Sequence, residues 1–289
     1  MAARKFDSKA LAKGVFSILV FLVLWEIGSR SKQWIALDAF SWLRDMLEAF
    51  GFRSKYLPWI GAIPAPSAVL VAWKDVLFDA GYWHSWYMSG ARVFGGFIAA
   101  MLVGIPFGLA LAVSRTVHGI GFPVFELLRP IPPLAWVPAS IIFWPTQELS
   151  IAFVTFLDAF YTVVINVVGG AKSIDVRFFQ AAQSMGSSKA DIFRRVILPG
   201  TLPSIVVGSA VGMGITWEVV VAAEMISGGG SQVGGTSGGG LGFFIWNSYV
   251  GGSYEQIVVG MISIGIAGYI SSELLRHFGK YLTPWLRLR

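Results

Sequence analysis

The chain contains no cysteine and few charged residues. The missing cysteine excludes a disulfide framework and a thiolate metal site. The three histidines, His84, His118 and His277, show no ligand spacing, so neither a metal centre nor another cofactor is expected. Asp, Glu, Lys and Arg make up only 13% of the 289 residues, whereas a soluble domain carries about a quarter.

Apolar sequence takes the place of the missing charge. Hydrophobic residues account for 55% of the chain, and the mean hydropathy is +0.67. A helix needs roughly 20 apolar residues to cross a hydrocarbon core about 30 Å thick. Six stretches reach or approach this length: Gly14–Ser29, Met88–Val113, Phe122–Trp144, Ser150–Gly169, Leu202–Ala223 and Tyr254–Leu275. We therefore predict an all-α membrane protein in which six transmembrane helices form one bundle.

The first apolar stretch has a second interpretation, because basic residues precede it as they do in a signal peptide. These are Arg4, Lys5, Lys9 and Lys13. No cleavage site of the A-x-A kind follows, since the stretch ends through Glu26 and Arg30. An uncleaved first helix is the expectation.

The basic residues indicate the orientation. The net charge of +6 does not form one face, so nucleic acid is not an expected partner. If six helices cross, 15 of the 22 Lys and Arg lie on one side: in the N-terminus, at Arg115 and Arg129, between Lys172 and Arg195, and in the tail after Arg276. Positive loops mark the cytoplasm, which predicts a multi-pass protein of the bacterial inner membrane with both termini inside.

Small residues recur at every fourth position in two of the predicted spans. One row is Gly96, Ala100, Gly104, Gly108 and Ala112; the other is Ser204, Gly208, Gly212 and Thr216. Such rows allow close helix contact in lipid. Packing inside one subunit is the preferred interpretation, and a dimer seam is the alternative.

The third predicted span contains four prolines: Pro130, Pro132, Pro133 and Pro138. Each removes a backbone donor and kinks or breaks a helix. Irregular backbone at membrane depth requires cover by protein or a water-filled cavity. This segment is predicted to be a loop that dips into the membrane or a part of a translocation pathway.

Two segments between the spans are predicted to lie outside the cell. Ile35–Phe50 has apolar residues on one helical face, which suggests an amphipathic helix at the membrane surface or an ordinary helix on the bundle. Gly228–Gly242 holds nine glycines in 15 residues and no Lys. A phosphate-binding loop needs that Lys, so a flexible external loop is expected.

The connection Lys172–Pro199 is longer than a turn between two helices requires. Its pattern predicts a helix, a break at Gly186, a second helix capped by Ser187 or Ser188, and a stop at Pro199. A short helix on a cytoplasmic loop, with small residues at its tip, suits docking into a groove of another protein.

This segment resembles the cytoplasmic loop of bacterial ABC-importer permeases, whose pattern is E-A-A, three residues, G, nine residues, I-x-L-P. Five positions match: Ala181, Ala182, Gly186, Leu198 and Pro199. Gln180 replaces the family Glu, and Val196 replaces the Ile. The resemblance implies a type I importer permease whose coupling helix seats in an ATPase. The implied coupling residues are Gln180, Ala181, Ala182, Gly186, Ser187, Ser188, Asp191 and Arg194.

The same resemblance implies the partners of the chain. They are cytoplasmic ABC ATPase subunits, which hydrolyse the ATP, a second permease copy forming a homodimer, an external substrate-binding protein and membrane lipid. The implied organisation has three parts. Residues 1–87 hold the N-terminal tail, the first helix and the amphipathic region; residues 88–275 form the core with the coupling loop 172–199; residues 276–289 form a cytoplasmic tail.

Three segments within Pro64–Trp285 resemble the branch that imports nitrate, bicarbonate, taurine and alkanesulfonates. They are Pro64–Ser67, Leu128–Pro138 and Ala222–Met225. The chain departs from the branch at Gln147, Asp158 and Thr162, which leaves the substrate open. The alternatives are a different small organic solute or a secondary transporter, although no halved repeat typical of the latter is visible.

Ionisable residues inside spans are candidates for the pathway, because they are expensive in lipid. Asp158, Glu218 and Glu224 qualify, and pairing with a neighbouring helix is the alternative for each. Asp158 is expected to face the cavity, with Asn166 on the same helical face and Tyr161 beside it. Trp136 and Trp217 are further candidates for the lining, with packing as their alternative.

Overall fold

The computed structural model describes residues 8–30, 41–51, 63–227 and 239–285. Within these ranges the regular structure is helical, with no strand. Several predicted features lie outside the described residues: Arg4 and Lys5, most of the glycine-rich loop, positions 35–40 and 52–59, and Arg287 and Arg289. The expected all-α class is confirmed.

Among the described residues, five helices are long and apolar enough to cross a membrane. They are α1 (Ser8–Ser29), α4 (Ala80–Val113), α7 (Gln147–Lys172), α10 (Leu198–Ile226, continuous with residues from Lys189) and α12 (Tyr254–Leu282). Shorter helices separate them: α2 (Ser41–Ala49), α3 (Pro66–Val76), α5 (Arg115–Leu128), α6 (Val137–Phe143), α8 (Val176–Ser184), α9 (Lys189–Ile192) and α11 (Leu241–Val250).

The third predicted span is not a single helix. Helix α5 ends at Leu128, a 3-10 turn occupies Pro133–Trp136, and α6 follows directly. Pro130, Pro132 and Pro133 have no N–H for a helical hydrogen bond, so the helix cannot continue through them. Pro138 is tolerated, because it lies in the first turn of α6, where no intrahelical donor is needed. The predicted break therefore divides this span into two short helices.

The chain separates into two units, of which the first comprises residues 1–79 and 248–259. In it, Glu26 near the end of α1 accepts hydrogen bonds from the backbone N–H and the hydroxyl of Ser67, at 3.1 and 2.8 Å, and pairs with Arg30 at 2.7 Å. Ser67 lies in the first turn of α3, so Glu26 satisfies a free helix N–H and ties α1 to α3. The predicted amphipathic region contains a helix at Ser41–Ala49.

The second unit comprises residues 80–247 and 260–289, and its core is formed by α4, α7 and α10. Glycines allow these three helices to approach closely. A Cβ on Gly96 would lie 2.8 Å from Thr155 Cβ, and one on Gly108 would lie 2.8 Å from Val167 Cβ, so both face α7. A Cβ on Gly208 would meet Asn166 Cβ at 2.5 Å. Both rows of small residues therefore serve packing inside the subunit, as preferred from the sequence.

Candidate coupling loop and translocation pathway

The loop between α7 and α10 begins with a capped helix. Asp175 precedes α8 and accepts a hydrogen bond from the Arg177 backbone N–H at 2.9 Å. The Arg177 side chain donates to the same carboxylate at 2.6 Å. These bonds favour the charged form, and the Arg177 side chain contributes most to holding the pKa of Asp175 below its usual value. The exposed start of the loop is thus fixed by its own residues.

Gly186 ends α8 in a left-handed conformation, with φ of +75°. The Ser187 N–H donates to the Ala182 carbonyl at 3.0 Å, and the Gly186 N–H donates to the Gln183 carbonyl at 2.9 Å. This pair of bonds is a Schellman motif, which takes glycine at the left-handed position. The predicted glycine break is present, and Gly186 acts there through its backbone.

The second helix of the loop is capped by Ser188. Its hydroxyl accepts from the Asp191 backbone N–H at 3.2 Å and donates to the Asp191 carboxylate at 2.5 Å. Ser188 is therefore a side-chain N-cap, and its hydroxyl proton is directed at the Asp191 carboxylate. Of the two predicted caps Ser188 is the one used, and Asp191 supports the helix end.

The predicted stop at Pro199 is wrong. Helix α9 runs through a π-helical turn, Phe193–Ile197, directly into α10, where Pro199 is the second residue. A proline ring normally clashes with the carbonyl four residues earlier, which here belongs to Arg195. The turn before Pro199 is a wider π turn, in which the Leu198 N–H donates to the Phe193 carbonyl. This π turn includes Arg195, whose carbonyl would otherwise clash with the proline ring.

The structure corrects the expectation that Ala182 contacts an ATPase. Ala182 is only 6% exposed. It belongs to a core cluster of buried apolar residues: Leu109, Val163, Val167, Ile192, Ile197 and Ile205. Its small side chain is needed because α8 lies close to this cluster. A Glu at this position would therefore disrupt the core of the loop, and loss of ATPase binding in such a variant would not identify a contact.

The remaining predicted coupling residues are accessible at the tip of the loop. Gln180, Ala181, Gly186, Ser188 and Arg194 are exposed, and Ser187 and Asp191 are partly buried. Two apolar residues that the sequence reasoning missed are also exposed: Met185 at 78% and Phe178 at 64%. The available signal for Met185 was its position as an apolar residue next to the predicted glycine break.

Near the C-terminal end of α10, Arg92 of α4 links the three helices α4, α7 and α10. Its guanidinium binds Glu148 at the start of α7 through two bonds, of 2.7 and 2.5 Å, and Glu224 near the end of α10 at 2.7 Å. It also donates to the Gly239 carbonyl at 2.7 Å. Arg92 is 7% exposed and Glu224 only 1%, whereas half of the Glu148 side chain is exposed. The sequence reasoning did not single out Arg92.

Glu224 is fully enclosed by this cluster. Ser89 Oγ lies 2.8 and 2.9 Å from its two carboxylate oxygens, and the Gly242 N–H donates at 2.9 Å. A Cβ on Gly240 would lie within 2.5 Å of the carboxylate, so glycine is required for this approach. The structure therefore favours the pairing alternative for Glu224 over a place in the pathway.

Asp158 lies at the seam between α7 and α10, near Glu218 and Thr216 of α10. It is 7% exposed, and its Oδ2 has no hydrogen-bond partner among the described residues. Asn166 lies on the same seam, since its Cβ faces Gly208. Tyr161 points elsewhere, into an aromatic cluster with Phe125 at 5.7 Å between ring centroids. Asp158 and Asn166 thus share the face of α7 that meets α10, whereas Tyr161 packs among aromatic rings. A role of these residues in the pathway stays a prediction.

The remaining candidates for the pathway also divide into residues that pack inside the bundle and residues that are accessible. Trp217 is 3% exposed and donates its indole N–H to Ser271 Oγ at 3.0 Å, which favours packing against α12. Glu218, the next residue, is exposed and faces a groove of about 630 Å³ between α10 and α12. Trp136 lies in the 3-10 turn, partly buried. Asp158, Asn166, Trp136 and Glu218 remain as candidates for the lining.

Comparison with known proteins agrees with this architecture. Residues 104–288 match the binding-protein-dependent transport system inner membrane component. A putative ABC transporter permease of Methanocaldococcus jannaschii is 36% identical over 70% of this chain and 72% of its own length. The taurine transport system permease of Escherichia coli is 35% identical over 77% and 80%. The nitrate import permease of Leptolyngbya laminosa is 32% identical over 71% of each chain.

Solved structures support the fold. A structure of the methionine ABC transporter in an inward-facing conformation covers 69% of this chain and 95% of its own, with a TM-score of 0.55 and 19% identity. The all-α fold is that of an ABC importer permease. The chain belongs to the family of binding-protein-dependent inner membrane transport components. The resemblance to the taurine and nitrate branch is confirmed.

Proposed function

We propose that this permease carries a small anion of the nitrate, bicarbonate, taurine or alkanesulfonate class, delivered by an external binding protein. Two relatives named for taurine and nitrate support this class. The observation that carries the coupling role is the rigid loop of α8 and α9, whose tip is exposed while its base lies in the core. The chain itself is a transport component, and ATP is hydrolysed by partner subunits that dock on this tip.

The proposed docking surface consists of exposed residues around the Schellman motif: Ala181, Ser184, Met185, Gly186 and Ser188. Met185 is its largest apolar side chain, at 78% exposure. An isolated apolar residue of this kind, surrounded by small polar residues, is suited to a pocket in a partner. The Schellman motif fixes the backbone around Met185, so little conformational entropy is lost when a partner binds.

Replacing Met185 by Asp is expected to abolish co-purification with the ATPase subunits and ATP-driven uptake, because a charge would be buried unpaired in the interface. Val176→Asp is the matched control, since Val176 is exposed at the other end of the same helix. Both variants should insert at the abundance of the wild type. Retention of ATPase binding in Met185→Asp, or equal loss in both variants, would contradict the proposed surface.

We further propose that a second copy of the chain completes the pathway. Val207, Val211, Ile215 and Glu218 form an exposed row on α10. A carboxylate facing hydrocarbon costs about 2.5–3.5 kcal/mol at a helix centre on insertion scales. Contact with a second subunit or with a water-filled space between subunits avoids this cost.

The proposed orientation places the coupling loop and both termini in the cytoplasm. The native chain has no cysteine, so single cysteines report position without background. An impermeant maleimide added to intact cells should label Gly251→Cys, in the turn between α11 and α12, and should leave Ser188→Cys unlabelled until the cells are opened. Labelling of Ser188→Cys from outside would reverse the topology.

A further inference from the structure

Helices α10 and α12 pack side by side in opposite directions. The Trp217 indole N–H donates to Ser271 Oγ at 3.0 Å, and a Cβ on Gly279 would overlap the side chain of Val206. Trp217 comes later in α10 than Val206, whereas Ser271 comes earlier in α12 than Gly279. These two contacts fix the depth of each residue of α12 relative to α10.

The groove between the two helices carries opposite charges at different depths. Glu218 of α10 and Arg276 of α12 both line its cavity of about 630 Å³. Glu218 follows Trp217, and a Cβ on Gly268 of α12 would lie 3.7 Å from Trp217 Cβ. Arg276 lies eight residues beyond Gly268, which corresponds to a rise of about 12 Å. The groove is therefore negative at one level and positive about two turns farther along α12.

A second cavity continues from Arg276 toward the end of α12. Its volume is about 330 Å³, and Arg276, Lys280 and Thr283 of α12 line it together with Val207 of α10. Arg276 lines both cavities, so it lies where they meet. Lys280 follows one turn later on the same helical face. The basic residues of the groove thus lead toward the side that the charge distribution predicts to be cytoplasmic.

The guanidinium of Arg276 retains donors for a ligand. Its described ion pair is with Glu273, at 3.3 Å, and about half of each side chain is exposed. Exposed pairs of this kind are weak. A guanidinium has five N–H donors arranged as a fork that fits oxyanions, and the bond to Glu273 uses one nitrogen. The remaining donors are suited to the oxygens of a sulfonate, nitrate or bicarbonate.

The groove also lies on the face of α10 where a second copy is proposed to complete the pathway. Val207 lines the smaller cavity and Glu218 the larger one, and both belong to the exposed row on that face. A carboxylate repels a passing anion, so a path lined by Glu218 alone is unfavourable. Arg276 supplies the opposite charge within the same groove.

We propose that the groove between α10 and α12 is part of the translocation pathway and that Arg276 binds the small oxyanion there before it passes Lys280 into the cytoplasm. Glu218 repels the anion and so favours its position at Arg276. This inference rests on the proposed function and adds the residue that recognises the anion.

The first test measures whether the groove is aqueous and how its charges act on an ion. Tyr269→Cys places a thiol in the larger cavity, two turns before Arg276 on the same face, and Tyr269 is 68% exposed. Ile270→Cys is the matched control, since Ile270 is 51% exposed but does not line the cavity. The probes are sulfonatoethyl methanethiosulfonate, an anion, and its trimethylammonioethyl analogue, a cation. Tyr269→Cys should react about tenfold faster than Ile270→Cys, because ions are excluded from lipid.

Charge variants in the Tyr269→Cys background identify the residues. Arg276→Gln should lower the ratio of anionic to cationic reaction rates by about threefold or more, and Glu218→Gln should raise it, since each removes one charge from the groove. Arg276→Lys keeps the charge and should leave the ratio within about twofold. Equal reactivity of Tyr269→Cys and Ile270→Cys, or a ratio unchanged by Arg276→Gln, would overturn the inference.

The second test measures transport in proteoliposomes that contain the complete importer and its binding protein. Nitrate, bicarbonate, taurine and ethanesulfonate are the probes. Arg276→Gln should lower the amount of anion carried per ATP hydrolysed by about tenfold, because it removes a charged hydrogen-bond donor from the path. Arg276→Lys should restore most of this ratio, which a merely structural loss would not change.

Parallel loss of uptake and ATP hydrolysis in both variants, or unchanged uptake by Arg276→Gln, would make Arg276 a membrane-surface anchor and overturn the inference. Uptake of none of the four anions by the wild type would overturn the proposed function. The thiol measurement is independent of that result and still decides whether the groove is an aqueous path that attracts anions.

Discussion

Replacing Arg92 by Met is expected to destabilise the permease more than any other single change considered. The substitution leaves Glu224 at 1% exposure without its counter-charge and removes the link to Glu148. Breaking a buried ion pair from one side costs about 3–5 kcal/mol. For a domain of this size such a loss lowers the melting temperature by roughly 10 °C. Thermal unfolding in detergent, followed by size-exclusion fluorescence, measures the shift.

Glu148→Gln provides the control for this prediction. Half of the Glu148 side chain is exposed, and an exposed pair contributes only about 0–1 kcal/mol. The Gln variant keeps the size and hydrogen-bonding capacity, so its melting temperature should fall by much less. A melting temperature of Arg92→Met within two degrees of the wild type would show that Glu224 does not depend on Arg92.

A second large effect is expected at one of two adjacent glycines on α4. Gly96→Ala should destabilise the bundle by about 1–3 kcal/mol, because a rigid core responds to an added methyl by strain. The new Cβ would lie 2.8 Å from Thr155 Cβ and 3.0 Å from the Ala152 carbonyl, and neither atom is the end of a flexible side chain. Melting temperature and membrane abundance are the measurements.

Gly95→Ala is the matched control, one residue away on the same helix. A Cβ at Gly95 meets no atom of the described residues within 4 Å. Alanine also favours a helix over glycine by about 1 kcal/mol. The variant should therefore be as stable as the wild type or more so. Equal destabilisation by both substitutions would mean that helix packing does not distinguish these positions.

The long helices were predictable because hydropathy and length alone define them. Length and hydropathy located α4, α7, α10 and α12 to within several residues at most of their ends. The break before Pro133 was also readable, since proline removes a backbone donor. The N-terminal extension of α4 to Ala80 could not be predicted, because Tyr82 and Ser85 lie outside the apolar stretch and are buried only through contacts with other elements.

The roles of individual residues depended on partners distant in sequence. Glu224 was a pathway candidate because its charge lies in an apolar segment. Arg92, 132 residues earlier, decides its role, and no local pattern connects the two. The opposite happened at Ala182. Its motif predicted a contact with a partner protein, but its side chain is buried in the core cluster. A sequence motif indicates that a residue type matters at a position, but it does not indicate which neighbouring residue that side chain contacts.

The unbroken passage from α9 through the π turn into α10 has a mechanical consequence. The helix from Lys189 to Ile226 has 38 residues, which corresponds to about 57 Å, nearly twice the hydrocarbon thickness of about 30 Å. It carries the coupling loop at one end and Glu224 at the other. We expect a displacement of the loop tip to be transmitted along this helix toward the ion-pair cluster, with any bending concentrated at the π turn Phe193–Ile197.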